Sequence, residues 1–217
     1  KYEHQLKLKE QIIYKEINSK ITSKINIKKI IHSEKQFNYR NHARFSIRRN
    51  GQIGFTNKVT KKFAGINHCL IMNNKINKHI NNLENLVGET SQLSIRASEN
   101  TNSFLIQPKF KNSDIKIETG QKYYNEQISD YKFQISSSSF FQVNSNQIEN
   151  MKNTILSLIK DNRKRLLVDA YSGVGTFGIL LSKYFEKIIG IEQSSSAVID
   201  ANINIKNISN YKMLTGN

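Results

Sequence analysis

Cysteine, proline and long apolar runs are scarce in this sequence, and each scarcity excludes a class of structure. The single cysteine, Cys69, excludes an internal disulfide framework and any multi-cysteine zinc or iron–sulfur site within these 217 residues. No apolar run approaches the roughly 18 residues of a membrane span, and the first residues are too charged for a secretory signal. The sequence therefore predicts a soluble, cytoplasmic protein without a metal site or a membrane partner.

Acidic residues are also few, and the positive charge is concentrated at one end. The chain has 33 Lys and Arg against 17 Asp and Glu, a formal net charge of +16. Residues 1–62 hold 16 of these cations and only 4 of the acids. A genome rich in AT codons is an alternative explanation of the lysine excess. The distribution of charge along the chain is the better test, because the excess is confined largely to one segment. Charge localised in this way favours an anionic partner, of which nucleic acid is the commonest.

One stretch of the basic segment, residues 38–55, interleaves arginines with rings. Its four arginines are candidate RNA-binding residues: Arg40, Arg44, Arg48 and Arg49. Guanidinium groups bind phosphates, and the nearby rings of Tyr39, His42 and Phe45 can stack on bases, a combination that suits RNA. A pair of strands with solvated charged faces explains the same pattern, and these residues alone leave both interpretations open.

Hydrophobic periodicity predicts a helix over residues 1–18 and then mostly strands as far as residue 135. A second helix is predicted near residues 74–87. The strand-like runs are ARFSI, QIGF, SQLSIRA, SFLIQPKF and KFQIS. Strands interrupted by an occasional helix are typical of an α+β domain.

The pattern changes near residue 136. A helix of about four turns is predicted from an N-cap at Asn144 to Lys160. Strands and helices then alternate: LLVDA (166–170), FGILLSKYF (177–185), KIIGIE (187–192), SAVIDANINIKN (196–207) and YKMLT (211–215). The first of these is predicted to be a buried parallel strand. A β-α-β series of this kind predicts an α/β fold.

A glycine turn follows that first strand, and its chemistry narrows the choice of ligand. Gly173, Gly175 and Gly178 fit the G-x-G-x-x-G pattern of dinucleotide-binding turns. However, Asp169 ends the strand, and a carboxylate beside a diphosphate is repulsive where the dielectric constant is low. An acid suits S-adenosylmethionine, which carries an ammonium and a sulfonium and no phosphate. Glu192 is placed to bind the ribose of either ligand. The turn favours S-adenosylmethionine, with a dinucleotide or no ligand as alternatives.

Seven stretches resemble the family of S-adenosylmethionine-dependent RNA uracil-5 methyltransferases. Three lie in the second half: SSSSFFQVN (136–144), DAYSGVGTFG (169–178) and GIEQSSSAVIDA (190–201). Four resemble that family's central domain, in the same order: YRNHARFSI (39–47), GQIGF (51–55), NHCLIM (67–72) and LSIRAS (93–98). The resemblance implies an α/β fold, in which an incomplete class I (Rossmann-like) methyltransferase domain over residues 136–217 is preceded by an α+β central RNA-binding domain over residues 1–135.

The resemblance also implies which residues contact the cofactor. The matching positions are Gln142, Asp169, Tyr171, Gly173, Gly175, Thr176, Glu192 and Asn217. Capping of the following helix is the alternative role for Gln142, and core packing at a strand end is the alternative for Tyr171.

The chemistry of this family requires a nucleophilic cysteine, because C5 of uracil is a poor nucleophile until a thiolate adds to C6. The resemblance places that cysteine in a Ser-Cys-(Asn/Asp)-Pro stretch after an Asp-Pro-Pro-Arg motif, and this sequence contains neither. Cys69 matches a non-catalytic cysteine instead. We therefore predict no catalytic residue here and expect the chain to be incomplete at both ends, inactive alone and poorly folded at its C-terminal edge. Any iron–sulfur cluster or RNA-binding barrel would precede residue 1.

The sequence thus predicts an RNA methyltransferase that acts on C5 of a uridine in rRNA or tRNA, with the target base flipped out of its stack. Three alternatives stay open: methyl transfer to another RNA atom or to a protein, RNA binding by a relic cofactor fold, and a dehydrogenase. The sequence does not distinguish rRNA from tRNA, and it leaves the oligomeric state open.

Overall fold

A computed structural model describes residues 1–21, 25–159 and 165–216. These residues form two compact units, Lys1–Gln36 and Phe37–Asn217. No helix in the described part of the chain has the length and apolar content that a bilayer crossing requires.

The first unit is a helix with a following segment bonded to it. Helix α1 covers Tyr2–Asn18, as predicted, and Leu6 is its buried residue. The Ile30 N–H donates a hydrogen bond of 2.8 Å to the Glu10 carboxylate, which ties this segment to the helix.

The second unit begins with an antiparallel sheet and its covering helix. The strands are β1 (His42–Ile47), β2 (Ile53–Thr56), β3 (Phe63–Gly65), β4 (Gln92–Ala97) and β5 (Phe104–Gln107). They pair in the order β3-β2-β1-β4-β5. Because side chains alternate along a strand, Phe45 and Ile47 of β1 point to the core. Helix α2 (Asn74–Leu83) packs into the same core through Ile76 and Ile80, which are fully buried.

A hairpin leads to a second core. Its strands are β6 (Tyr123–Ile128) and β7 (Tyr131–Ser136). Tyr124, Phe133 and Ile135 of the hairpin are buried, and they belong to the same apolar cluster as residues of the parallel sheet that follows. The hairpin therefore shares its core with the C-terminal part of the chain.

The C-terminal part alternates helices with parallel strands. Its elements are α3 (Asn146–Leu158), β8 (Leu166–Ala170), α4 (Thr176–Leu180), β9 (Lys187–Glu192), α5 (Ser195–Asn204) and β10 (Tyr211–Thr215). The strands pair in the order β10-β9-β8, and both pairings are parallel. This arrangement confirms the predicted fold class, a Rossmann-like part preceded by an α+β part.

Two predictions for the parallel sheet and its first helix are wrong. The helix predicted over residues 177–185 ends at Leu180, and a 3₁₀ turn over Ser182–Tyr184 follows. The strand predicted to be buried is half exposed, at 51% for Leu166 and 52% for Val168. This exposure follows from position, because β8 is an edge strand of the described three-stranded sheet.

Two helix boundaries differ from the prediction for local reasons. Helix α2 stops at Leu83 rather than near residue 87, and Asn85 just beyond it has a left-handed φ of 62°. Helix α3 has Ser145 rather than Asn144 at its N-cap. The backbone of Asn144 forms an isolated antiparallel bridge with Arg40 instead.

Two strands were missed. Strand β3 has only three residues, which is too short for alternation to show. Strand β6 reads YYNEQI, and its inward positions include Glu126, which is fully buried. A buried carboxylate breaks the apolar alternation from which strands are predicted.

Candidate functional site

The glycine turn after β8 has an unusual backbone. Gly173 and Gly175 have φ of 56° and 83°, and Tyr171 has φ of 60°. Glycine adopts this region without steric cost, whereas a tyrosine there is strained. The Gly175 N–H donates to the Ser172 carbonyl (2.9 Å), which closes the turn just before α4 begins at Thr176. The turn is therefore a tight one held in shape by its own backbone.

The space above this turn is open. A Cβ built on Gly173 meets no atom within 4 Å among the described residues other than its two chain neighbours. Tyr171 is 90% exposed, so its alternative role as a core residue is wrong. Thr176, by contrast, is buried. The open space at Gly173 and the exposed ring of Tyr171 leave room for a ligand beside the turn.

The third glycine, Gly178, serves packing rather than binding. A Cβ on Gly178 would lie closer than 3.0 Å to the ring of Tyr211, and a Cβ on Gly190 would lie equally close to that ring. Tyr211 is itself buried. The pair of glycines thus leaves room for one ring between α4 and the sheet, as the third glycine of such turns does elsewhere.

Asp169 lies beneath the turn. Its carboxylate accepts a hydrogen bond from the Gly178 N–H (2.9 Å) in the first part of α4. Burial raises the pKa of this carboxyl group, and the bond from Gly178 partly opposes that rise. The sequence predicted a carboxylate aimed at a ligand, and in the structure this carboxylate is bonded to the helix that follows the turn.

Glu192 ends the next strand and reaches back to the glycine turn. One carboxylate oxygen accepts from the Gly173 N–H (2.8 Å), and the other accepts from the N–H groups of Gln193 (2.9 Å) and Ser194 (2.8 Å). The stretch from Leu166 to Ser182 contains no Lys or Arg. Two carboxylates therefore bond to the backbone of the turn and of α4, and residues 166–182 themselves supply no cation that could pair with a diphosphate.

Gln142 lies in the segment that leads from the hairpin to α3. Its backbone carbonyl accepts a hydrogen bond from the Asn41 side chain (3.0 Å), and the Asn41 N–H donates to the Val143 carbonyl (2.9 Å). The last predicted cofactor residue, Asn217, lies outside the described residues.

The four predicted RNA-binding arginines are not equivalent. Arg44 lies on the outer side of β1, and Arg48, just beyond the strand, keeps its guanidinium 4.5 Å from the Phe63 ring centroid. Arg49 is exposed in the turn that follows. Arg40 is only half exposed, and its backbone bridges both Met72 and Asn144. The sheet therefore brings Arg44 and Arg48 to one face and leaves Arg40 between loops.

His42 belongs to the same face as Arg44. Its Nε2 lies 3.1 Å from the Ser94 hydroxyl on β4. Burial, followed by the charges of Arg96, Arg44 and Arg40, lowers the pKa of His42 from 6.5 to about 4. This ring is neutral at physiological pH and can therefore exchange hydrogen bonds without adding charge.

Cys69 lies away from the glycine turn in packing. Its backbone N–H donates to the Asn77 side chain (2.9 Å), and its side chain packs against the first core. The glycine turn packs against the second core through Val174. The structure thus agrees with a structural role for the chain's single thiol.

Sequence comparison decides the family. The sequence model of the tRNA (Uracil-5-)-methyltransferase family matches residues 93–215, which is more than half of the chain. The chain belongs to this family. Two uncharacterized RNA methyltransferases illustrate the range of relatives. One from Clostridium acetobutylicum is 44% identical over 45% of this chain and 22% of that protein. One from Prochlorococcus marinus is 28% identical over 82% of this chain and 56% of that protein.

A solved structure shares the fold of this uracil-5-methyltransferase family member. The Pyrococcus abyssi tRNA (uracil-54, C5)-methyltransferase in complex with S-adenosyl-L-homocysteine matches with a TM-score of 0.79. The match covers 100% of this chain and 62% of that one, at 21% identity. The chain therefore spans less than two thirds of the length of each of these three proteins.

Several residues around the site of this family member were missed from sequence. Arg96 on β4 donates to the carbonyl of Ser139, in the segment that carries Gln142. On α5, Asp200 and Asn204 bond to the backbone of β7, the strand before that segment. One signal was available, because Asp200 and Asn204 stand four residues apart, near the small apolar residues Ala197 and Ala201. A polar pair with helical spacing on a buried face indicates specific partners.

Proposed function

We propose that this chain is the cofactor-binding and RNA-gripping part of an S-adenosylmethionine-dependent enzyme that methylates C5 of a uridine in tRNA or rRNA. One observation carries the proposal: in a chain of the uracil-5-methyltransferase family, the carboxylates of Asp169 and Glu192 bond to the backbone of the glycine turn and its helix, and residues 166–182 contain no Lys or Arg. A sulfonium cofactor fits the Asp169 carboxylate, which would repel a diphosphate, whereas Glu192 would serve the ribose of either ligand.

The residues present fit this cofactor. Gly173 leaves the space that a ligand needs, and Glu192 is the acid at the strand end that accepts from ribose hydroxyls in folds of this kind. Tyr171 stands exposed beside that space. With Gln142, Asp169, Gly175 and Thr176, these residues would hold the cofactor, which supplies an electrophilic methyl group when bound.

The covalent step of the proposed reaction would need a thiolate that adds to C6 of uracil, so that C5 takes the methyl group of the sulfonium and leaves it as a thioether. A base would then remove the C5 proton, and the thiolate would be expelled from C6. Cys69 is the chain's single cysteine, and its contacts lie with α2 and the first core. We place the nucleophile outside these 217 residues. The chain alone would then bind cofactor and RNA without turnover.

The basic face of the sheet is the proposed RNA contact. Arg44 projects from the outer side of β1 and Arg48 lies just beyond the strand, where they can meet phosphates. We propose that residues 1–135 grip RNA and residues 136–217 hold the cofactor, which is a division of roles along the chain.

Cofactor binding is tested by calorimetric titration with S-adenosylhomocysteine, using the chain and two matched variants. Glu192→Gln should weaken binding by about tenfold or more, because a hydrogen bond to a charged group contributes roughly 1.5–3 kcal/mol. Glu186→Gln removes an exposed carboxylate six positions earlier and should leave the affinity unchanged. Binding of NADH with no binding of S-adenosylhomocysteine would overturn the proposal and favour a dehydrogenase.

The reaction is tested by nucleoside analysis. The gene's reading frame is extended past codon 217, and a protein that includes any Ser-Cys-(Asn/Asp)-Pro stretch is incubated with RNA and methyl-labelled cofactor. Label in 5-methyluridine supports the proposal, whereas label in another nucleoside or in protein moves the activity to a different acceptor. Turnover by the 217-residue chain itself would show that the nucleophile has been misplaced.

A further inference from the structure

The segment from Ser136 to Val143, here called the crossing segment, connects the hairpin to α3 and carries Gln142. Its first residue is held by a buried carboxylate. Asp200 of α5 is fully buried, and it accepts from the Ser136 N–H (2.8 Å) and the Ser136 hydroxyl (2.7 Å). The same carboxylate accepts from the Ser139 hydroxyl (2.6 Å). One side chain thereby fixes two points of the crossing segment.

The backbone of Ser139 is also hydrogen-bonded, in this case to an arginine of the antiparallel sheet. Arg96 of β4, which is 4% exposed, donates from Nη2 to the Ser139 carbonyl (2.7 Å). Its guanidinium also lies 5.9 Å from the ring centroid of Tyr124. Arg96 is the cross-strand neighbour of His42 in the five-stranded antiparallel sheet. The crossing segment is therefore bonded both to that sheet and to α5.

Asn204 lies one helical turn beyond Asp200 and extends the arrangement to the glycine turn. Its Oδ1 accepts from the Gln134 N–H (2.7 Å), and its Nδ2 donates to the Gln134 carbonyl (3.1 Å). The same Nδ2 donates to the carbonyl of Val174 (3.0 Å), which stands between Gly173 and Gly175. A single amide thus joins strand β7 to the glycine turn.

We propose that Asp200 and Asn204 are positioning residues, which set the geometry between the glycine turn and the crossing segment and so preorganise the cofactor site. Residues four apart on a helix lie on one face, so the two side chains act as one rigid support. The proposal rests on the proposed function, because the ligand whose affinity it governs is S-adenosylmethionine or its product.

Packing alone does not call for these residues. A buried carboxylate loses hydration, and apolar side chains of similar size would hold a helix against a strand at least as well. Directional bonds to the backbone of Ser136, Gln134 and Val174 do what apolar contacts cannot, because they fix position along the strand and the turn. Affinity for a ligand that spans both segments then depends on those bonds.

The first test replaces Asn204 by Asp. This change keeps the acceptor for Gln134 but removes both donors, and it sets a carboxylate against the carbonyls of Gln134 and Val174. The affinity of the 217-residue chain for S-adenosylhomocysteine, measured by calorimetric titration, should fall by about tenfold or more. Asn202→Asp makes the same chemical change at an exposed position of the same helix and should leave the affinity unchanged.

A second measurement separates positioning from general stability. Ile80→Val shortens a fully buried side chain of the first core and should lower the melting temperature without changing the affinity. Asn204→Asp should also speed amide hydrogen exchange in the ligand-free glycine turn, which Ile80→Val should not do. Asn204→Ser and Asp200→Asn repeat the test with no new charge, in case Asn204→Asp does not fold.

The outcomes are distinct. Weaker binding in the Asn204 and Asp200 variants, with Asn202→Asp and Ile80→Val unchanged, supports the inference. Equal affinity in the folded Asn204 variants and the unsubstituted chain overturns the inference and leaves the proposed function standing. If the unsubstituted chain binds no S-adenosylhomocysteine, the proposed function fails, and this inference fails with it.

Discussion

Gly178 and Gly173 belong to one motif, yet they are glycines for different physical reasons. At Gly178 a side chain would collide with the Tyr211 ring, although nothing in the backbone demands glycine. At Gly173 the space is open, but φ is 56°. Packing therefore requires glycine at Gly178, and backbone conformation favours it at Gly173.

This difference gives a prediction. Gly178→Ala should lower the free energy of unfolding by about 1–3 kcal/mol, because overpacking forces Tyr211 or α4 to move. Gly173→Ala should cost about 1 kcal/mol, the penalty of a left-handed alanine. Chemical denaturation of both variants and the unsubstituted chain checks the order. A larger loss at Gly173 than at Gly178 would contradict the packing argument.

His42 makes stability depend on pH. Its pKa is lowered from 6.5 to about 4 in the folded chain, mainly by burial. Between these values the unfolded chain binds a proton that the folded chain does not, so stability falls as pH is lowered through this window.

His42→Gln should reduce that loss of stability between pH 6.5 and pH 4, because glutamine does not titrate and can still bond to Ser94. The part of the loss that persists is expected from His79, whose pKa is also lowered by burial. His68→Gln, at an exposed position, is the matched control. Urea unfolding at several pH values measures the effect, and parallel pH curves for His42→Gln and the unsubstituted chain would count against it.

At the scale of elements, strand β1 combines two functions through its alternation. Phe45 and Ile47 point into the first core, while Arg44 and Ser46 belong to the outer side. The pleat keeps both sets in register, so the strand that builds the core also presents Arg44 on its outer side, four residues before Arg48 in the turn that follows. A one-residue slip would exchange the two sets.

Substitution of the outer arginines should therefore affect RNA binding more than stability, since the contact of Arg48 with the Phe63 ring is the interaction that folding would lose. Arg44→Gln and Arg48→Gln should each reduce the slope of log affinity against log salt by about one unit for a single-stranded or folded RNA probe. Lys206→Gln removes an exposed cation of the C-terminal part and is the control. Fluorescence titration across a salt series gives the slopes. An unchanged slope for both arginine variants would mean that this face does not contact phosphates.

At the scale of the whole second unit, the hairpin belongs to the second of two cores. Tyr124 and Phe133 belong to the second core, although they precede residue 136 in sequence. The boundary predicted between residues 135 and 136 separates the part proposed to bind RNA from the part proposed to bind the cofactor, and it stays a prediction. The described packing joins the hairpin to the C-terminal part.

Two fragments test how the second core is built. Residues 119–217 retain the hairpin and its bonds to Asp200, and we expect a cooperative thermal transition by circular dichroism. Residues 136–217 lack the buried Tyr124 and Phe133, so we expect exposed apolar surface, dye binding and a broad transition. Equal, cooperative transitions in the two fragments would show that the hairpin is dispensable to this core.

Local sequence patterns determined most of the secondary structure, the glycine turn and the family of this protein. Periodicity gave helix α1 and most strands, because solvent on one side and a core on the other impose spacings of 3.6 and 2 residues. The glycine turn and its two acids, Asp169 and Glu192, were found because ligand chemistry constrains residue type at fixed spacing. The family was recognised from short motifs for the same reason, and the sequence comparison confirms it.

The tertiary structure alone decided which groups meet. Asp169 accepts a hydrogen bond from the Gly178 N–H, a partner that the sequence did not indicate, and Asp200 is paired with serines more than sixty positions away in sequence. The short length of α4 and the exposure of β8 likewise depend on which elements lie beside them. Local sequence sets the backbone preferences and the face that each residue occupies, whereas partners distant in the chain are chosen by the packing of whole elements, which no local pattern encodes.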